Sequence, residues 1–304
     1  MLPDNPLKAI VLAVSATVLF GTSDTISKYL SGSLPIVEFL WIRYVLFMAM
    51  SAILVYRAPV RSVRPRNPRF QITRGLCIVG SSVLFVYGVR QMTMSQATTI
   101  SFLSPLLITI LSIPLLGEVV GVRRWAAVGA GMVGMLIVVR PGVGGFQPAA
   151  LFGVASSFFW ALALIITRKI SSSDAPQTTM FWSAAIGTSI LTAMLPFQAV
   201  WPTPKQLLLS LVLGVLASSG QWMVILAHRI APASVLAPFF YSQLLWVTGL
   251  GFLVFGNLPD QWTVTGAGII IASGLYTAHR ERVRRKLANA RVAAPQATVA
   301  RLAD

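Results

Sequence analysis

Long apolar runs alternate with short polar connectors along almost the whole chain. Ten of these runs approach the length of about 20 residues that a helix needs to cross a bilayer. They occupy residues 8–29, 35–56, 72–90, 97–117, 122–140, 149–169, 179–199, 206–227, 234–255 and 262–279. Lipid offers no solvent for free backbone groups, and the runs lack the alternation of β-barrel strands. The pattern therefore predicts an all-α membrane protein with ten transmembrane helices.

The charged residues fit this interpretation. Only 11% of the 304 residues are charged, whereas a soluble protein needs about a quarter. The net charge of +16 comes from Lys and Arg in connectors and in the tail, a pattern that indicates topology rather than nucleic-acid binding. With a cytoplasmic N-terminus, nineteen of them fall on the cytoplasmic side, including the basic loop Arg57–Arg74, and four on the outer side. Both termini are therefore predicted to be cytoplasmic, in a bacterial inner membrane.

The two halves of the chain repeat one sequence pattern. Residues Gly88–Glu118 match Ala227–Asn257 at a constant offset of 139, and Phe20–Lys28 match Trp160–Arg168. Pro35 also matches Pro176. Because each copy contains five helices, an odd number, the second copy must enter the membrane in the opposite orientation. Inverted repeats of this kind build many secondary transporters, with the substrate site near the midplane between the halves.

This repeat predicts the organisation of the chain. The expected units are a first five-helix repeat (1–140), a second, inverted five-helix repeat (141–282) and a basic, disordered cytoplasmic tail (283–304).

Short motifs in both halves carry a family resemblance. They are Phe20-Gly21, Trp41-Ile42-Arg43-Tyr44, Leu103-Ser104-Pro105, Leu116-Gly117-Glu118, Ala237-Pro238-Phe239-Phe240-Tyr241 and Phe255-Gly256-Asn257. With these residues the chain resembles the EamA-type transporters of the drug/metabolite transporter superfamily over nearly its whole length. The resemblance implies two inverted five-helix repeats and a transport function. Asn257 departs from the Glu that usually ends the second motif.

Ionisable side chains at membrane depth are costly and count as functional candidates. Arg43 lies about 12 Å along the second span, at 1.5 Å per residue, and Asp24 lies at a similar depth in the first. They are expected either to form a structural ion pair or to line a cavity, where they hold a substrate charge or exchange a proton. Lys28 is one turn from Asp24 and could share it, although an ion pair with Glu38 at the outer rim is the plainer expectation.

Aromatic and amide side chains suit a cavity that binds and releases an organic molecule. The candidates are Trp41, Tyr44, Phe102, Trp160, Gln221, Trp222, Tyr241 and Gln243. Some of these will instead face lipid or a neighbouring helix. Gln243 needs a partner inside the bundle, and Ser104 aligns with it in the first half. Pro105 and Pro238 are expected to bend their helices at related places, where transporters move and bind substrate.

These features favour a secondary transporter that carries a small organic metabolite by alternating access. The specific hypothesis is an aromatic metabolite such as riboflavin, and the alternatives are an amino-acid-like metabolite, a metallophore, or a membrane receptor or scaffold without transport. Two His and the single Cys77 form no catalytic or metal-binding set, so no enzyme, metal or cofactor is expected. The expected partners are the substrate, membrane lipid and H+ or Na+ as coupling ion, with no nucleic acid, in a monomer or homodimer.

Overall fold

The computed structural model describes residues 6–57, 64–117, 122–139, 148–170, 173–197, 200–230, 236, 239–276, 279 and 283, and their regular structure is entirely helical. The helices are α1 (Pro6–Ser31), α2 (Ile36–Tyr56), α3 (Pro68–Gln91), α4 (Met94–Ser101), α5 (Ser104–Leu116), α6 (Val122–Val139), α7 (Ala149–Ile170), α8 (Pro176–Met194), α9 (Pro204–Ile230), α10 (Ser242–Phe255) and α11 (261–276).

Seven described segments are long and apolar enough to cross a membrane, and Trp125–Val139 and Ser242–Phe255 are shorter apolar helices. The prediction of a helical membrane protein is therefore confirmed, while the count of ten spans and the orientation stay predictions. The predicted fourth span consists of two helices, α4 and α5. They are separated at Phe102 and Leu103, two residues before Pro105, because a proline cannot donate the next helical hydrogen bond.

Eight of the packed segments follow one closed order of contacts. The order runs α1, α9, α2, α8, α3, α7, then α4 with α5, then α10 and back to α1. Helix α6 lies beside this ring against α4 and α5. Helix α11 packs on α6 so closely that a β-carbon on Gly134 would lie 2.9 Å from the carbonyl oxygen of Gly266. Close backbone approach of this kind is what small residues permit between membrane helices.

The contacts also come in matched pairs. Packing of α1 on α9 corresponds to α7 on α3, and packing of α2 on α9 corresponds to α8 on α3. The backbone repeats as well, since α5 and α10 end at Gly117 and Gly256, both in the left-handed conformation at φ 69°. Glycine adopts the left-handed conformation without steric cost, which explains why both motifs carry a glycine at this position. This is the arrangement expected of two copies of one unit.

Two clusters of polar contacts join the halves, one at each end of the bundle. The end that holds residues 32–35 is called outer and the opposite end cytoplasmic, after the predicted orientation. In the outer joint, Gln206 Nε2 donates to Ser33 O at 3.3 Å and to Ser33 Oγ at 3.2 Å. Val200 N–H donates to Glu38 Oε2 at 3.1 Å. Lys205 Nζ lies 5.4 Å from the ring centroid of Tyr29.

The cytoplasmic joint occupies the corresponding places. Asp174 accepts from the backbone N–H of Arg66 at 2.9 Å and from Gln71 Nε2 at 2.7 Å. Lys169 Nζ lies 5.0 Å from the ring centroid of Phe70. The repeat aligns Lys169 with Tyr29, so each of these two aligned residues takes part in a cation–π pair, one as the cation and the other as the ring.

Candidate substrate site

Asp24 lies seven residues before the end of α1, about 10 Å from the outer end of the helix. It is partly exposed, and its Oδ2 accepts a hydrogen bond from Gln243 Nε2 at 3.2 Å. Other polar contacts hold α1 and α10 together around this bond: Thr17 Oγ1 lies 3.0 Å from Ser242 Oγ, and Trp246 Nε1 donates to Thr22 Oγ1 at 3.1 Å. Gln243 thus finds its partner inside the bundle.

Arg43 lies seven residues after the start of α2, at the same depth as Asp24. No ion pair joins Asp24 and Arg43, and within the described part of the chain the guanidinium makes no hydrogen bond. Helix α9 lies between α1 and α2 in this order, so Asp24 and Arg43 belong to helices that are not neighbours in the ring. The two ionisable side chains therefore lie at the same depth without a direct contact.

Tyr44 is only 3% exposed and belongs to the packing between helices. Its hydroxyl lies 3.1 Å from Ser82 Oγ of α3. Its ring lies so close to α8 that a β-carbon on Gly187 would come within 2.3 Å of a ring carbon. The side chain therefore fixes α2 against α3 and α8.

Phe102 and Tyr241, which the 139-residue offset aligns, contact each other directly. Their ring centroids are 5.0 Å apart at 80°, and each residue is 9% exposed. Phe102 lies two residues before the start of α5, and Tyr241 lies one residue before the start of α10. A cavity of about 340 Å³ lies beside this pair and is lined by Tyr241, Ser242, Leu244, Leu245 and Ile271. The lining is mainly apolar, so this cavity offers few groups for a charged ligand.

Lys28 shares neither Asp24 nor Glu38, so both expected ion pairs are wrong. Its Nζ donates to the carbonyl oxygen of Met92 and lies 5.1 Å from the ring centroid of Phe255. Glu38 accepts from the Val200 N–H in the outer joint instead. Lys28 therefore ties the outer ends of α1, α3 and α10 together.

The remaining described candidates make no hydrogen bond with Asp24 or Arg43. Trp41 Nε1 donates to Thr192 Oγ1 at 2.8 Å, a contact between α2 and α8. The others are all partly exposed, and their described contacts do not join them to the two charges: Ser104, Pro105, Trp160, Gln221 and Trp222. Pro238 lies outside the described residues.

Arg74 is a buried charge, although the sequence places it at the end of the basic cytoplasmic loop. It lies inside α3, is 6% exposed and has no acidic partner among the described residues. Its Nε donates to Thr167 Oγ1 at 2.5 Å, one NH₂ donates to Thr179 O at 3.2 Å, and the same group donates to Ser183 Oγ. These partners belong to α7 and α8, so Arg74 extends the cytoplasmic joint into the bundle. The sequence signal for the burial of Arg74 is its position within an apolar run.

The sequence matches the EamA-like transporter family twice, over residues 7–140 and 147–277. The chain belongs to the EamA-like transporter family. It is therefore a multi-pass membrane protein of a transporter family, as the motifs predicted.

Relatives in this EamA-like family carry different named substrates. The chain is 27% identical to an S-adenosylmethionine uptake transporter of Rickettsia prowazekii, covering 91% of this chain and 94% of the relative. It is 28% identical to a riboflavin transporter of Rhizobium johnstonii, covering 93% and 95%. It is 24% identical to the pseudopaline exporter CntI of Pseudomonas aeruginosa, covering 90% and 96%.

A solved crystal structure shares the fold with a TM-score of 0.65 at 17% identity, covering 91% of this chain and 98% of the other.

Proposed function

We propose that the protein is a secondary transporter that moves a small organic metabolite across the bacterial cytoplasmic membrane by alternating access. In this proposal ten spans form two inverted halves with both termini in the cytoplasm, and the pathway runs inside the ring of α1–α5 and α7–α10. The driving force is a gradient of H+, of Na+ or of the substrate itself.

One observation carries the proposal. Asp24 and Arg43 lie about 10 Å inside the bundle, are partly exposed and form no ion pair with each other. Charges at this depth are costly, and the usual reason to keep them is a pathway for a substrate or an ion. A receptor or scaffold without transport would gain nothing from such a pair inside two repeated halves.

Two classes of substrate follow from the relatives and the site. The aromatic residues first suggested riboflavin, which is also the named substrate of one relative. The charges at Asp24 and Arg43 favour the second class, a charged amino-acid-like metabolite. S-adenosylmethionine, the named substrate of another relative, carries an amino-acid head group.

The test begins with metabolite profiles of cells with and without the gene. Each compound that changes is then offered to proteoliposomes that contain the purified protein, under a pH gradient, a sodium gradient or none. We expect protein-dependent flux of at least one compound. The absence of flux for every changed compound under all three conditions would contradict the transporter and favour the receptor or scaffold.

A further inference from the structure

Lys28 joins two helices that are not neighbours in the ring. Helices α1 and α3 are separated by α9, α2 and α8 along one side of the ring and by α7, α4, α5 and α10 along the other. Lys28 lies on α1, three residues before its outer end, and its Nζ donates to the carbonyl oxygen of Met92, the residue that follows α3. A direct contact between these two helices crosses the space that the ring encloses. Lys28 therefore bridges the ring interior at its outer end.

A cluster of apolar side chains closes the same end. It is formed by α1, α2, α3, α8 and α9, and its most buried residues lie within about 14 Å of the outer ends of their helices. These residues, called the outer plug, are at most 1% exposed: Leu30, Phe39, Leu40, Val86, Leu191 and Leu213. Side chains this completely buried exclude water and polar solutes from between the five helices.

The matching positions at the cytoplasmic end are packed differently. The repeat aligns Leu40 with Phe181 and Leu213 with Arg74. Phe181 is partly exposed, and Arg74 donates hydrogen bonds to α7 and α8 where Leu213 packs among apolar side chains. Among the described residues, α7 and α9, the counterparts of α1 and α3, show no packing comparable to that of α1 on α3. The closure is thus specific to the outer end in this structure.

The partners of Lys28 allow the bridge to be released. They are a carbonyl oxygen and the ring of Phe255, whose centroid lies 5.1 Å from Nζ, and neither carries a net charge. Breaking a buried ion pair would leave a second unpaired charge in the bundle, which is strongly unfavourable. Breaking the Lys28 bridge leaves only the ammonium group of a partly exposed side chain, and its long stem lets it regain water at the outer surface.

We propose that Lys28 is the latch of an outer gate in the transport pathway. The gate is the outer plug, and the bridge from Lys28 to Met92 and Phe255 holds it closed in the state that the structure describes. When the bridge is released, α1 moves away from α3 and the plug becomes accessible from outside. This inference rests on the proposed function and assigns Lys28 a role in opening the pathway rather than in binding substrate.

The test measures how fast a hydrophilic thiol reagent labels single cysteines of the purified protein in lipid nanodiscs, where both faces are accessible. Cys77 is first replaced by Ala because it is the only native cysteine. Leu30→Cys then reports on the outer plug. Ile170→Cys is the matched reporter at the cytoplasmic end, because the repeat aligns Ile170 with Leu30 and Ile170 is likewise buried, at 1% exposure.

Variants of the latch are compared with both reporters. Lys28→Met should raise the labelling rate of the Leu30→Cys reporter about fivefold or more and leave that of the Ile170→Cys reporter unchanged, because only the outer end loses its latch. Phe255→Leu should have a smaller effect in the same direction, since it removes the ring and keeps the hydrogen bond to the carbonyl oxygen. Lys28→Arg keeps the charge, so labelling should stay within about twofold of the parent. Arg90→Gln, at an exposed arginine near the end of α3, is the control and should change neither rate.

Two labelling results would overturn the gate. Unchanged labelling of the Leu30→Cys reporter in Lys28→Met means that Lys28 does not hold the outer end closed. Equal increases for both reporters mean that the substitution loosens the whole bundle. The labelling needs no substrate, so the two proposals can fail separately. Flux in proteoliposomes without selective labelling would reject the latch alone, whereas selective labelling without flux of any compound would reject the transporter and leave the closure by Lys28 in place.

Discussion

The outer and cytoplasmic joints occupy corresponding places in the two halves but differ in their surroundings. In each, a glutamine from the first turns of one helix, Gln206 or Gln71, donates to a residue just before another helix. The acceptor is the exposed Ser33 in the outer joint and the buried Asp174, 8% exposed, in the cytoplasmic joint. The two joints therefore lie at corresponding places in the repeat but use different polar groups.

Burial decides what each contact contributes to stability. An exposed polar group that loses its partner is rehydrated, so the loss is small. A buried donor or acceptor that loses its partner costs about 1–3 kcal/mol, and more when the group is charged. The cytoplasmic joint also includes Arg74, whose charge has only neutral partners. We therefore expect equivalent substitutions to have unequal effects at the two ends.

The largest expected effect is that of Asp174→Ala. It leaves the Arg66 N–H without its acceptor and the Gln71 amide with Thr179 Oγ1 alone, and should lower the free energy of unfolding by about 3 kcal/mol. The measurement is thermal unfolding of the purified protein in detergent. Ser33→Ala is the matched control in the outer joint and should cost less than about 0.5 kcal/mol. Equal losses at the two positions would refute the role of burial.

Removing the glutamines should give a smaller contrast. Gln71→Leu deletes donors to Asp174 and to Thr179, but it also removes a buried Oε1 that has no partner among the described residues. The two effects oppose each other, so the expected loss is about 1 kcal/mol. Gln206→Leu at the exposed outer joint should stay within about 0.5 kcal/mol. Denaturant unfolding of both variants measures the difference, and a larger loss for Gln206→Leu would reverse the comparison.

Much of this fold was predictable because hydrophobic runs, turn residues and the offset of 139 are properties of the chain alone. The break before Pro105 follows from the missing amide hydrogen of proline. The matching glycines Gly117 and Gly256 follow from the left-handed end that each helix requires. Each of these features depends on residues close together in the sequence.

The site was less predictable because it depends on contacts between distant residues. The sequence singled out Asp24, Arg43 and Gln243 individually from their depth, but their mutual arrangement needed the ring order. Nearness in sequence favours Asp24 or Glu38 as the partner of Lys28, whereas its partners Met92 and Phe255 come from other helices. Arg74 was assigned to a basic loop because its neutral partners on α7 and α8 lie about 100 residues away.

The cation–π pairs are the one feature in which the two joints should behave alike. Phe70→Leu and Tyr29→Leu each remove an aromatic face from a nearby lysine, Lys169 or Lys205, both of which are exposed. An exposed cation–π contact contributes about 0.5–1 kcal/mol, so each variant should lose about this amount, and Tyr29→Leu also loses the hydroxyl that accepts a hydrogen bond from Lys205 Nζ at 3.1 Å. Thermal unfolding measures both losses, and Val11→Ala at an exposed position of α1 serves as the control for loss of surface apolar area. A loss of stability in only one of the two variants would mean that the two cation–π pairs do not contribute equally.

The smallest expected effect comes from giving the outer joint the chemistry of the cytoplasmic one. Ser33→Asp places a carboxylate beside the Gln206 amide and just before the N-terminus of α2, where a negative charge is favourable. The expected gain is about 0.5 kcal/mol, measured by thermal unfolding at low ionic strength, and it should shrink as salt screens the exposed charge. Ser33→Asn is the uncharged control and should give no such salt dependence. If Ser33→Asp instead stabilises the protein as strongly as Asp174→Ala destabilises it, then the carboxylate itself, and not its burial, sets the difference between the two ends. If the gain stays small, the difference between the two ends comes from the buried surroundings of Asp174, which only the cytoplasmic joint provides.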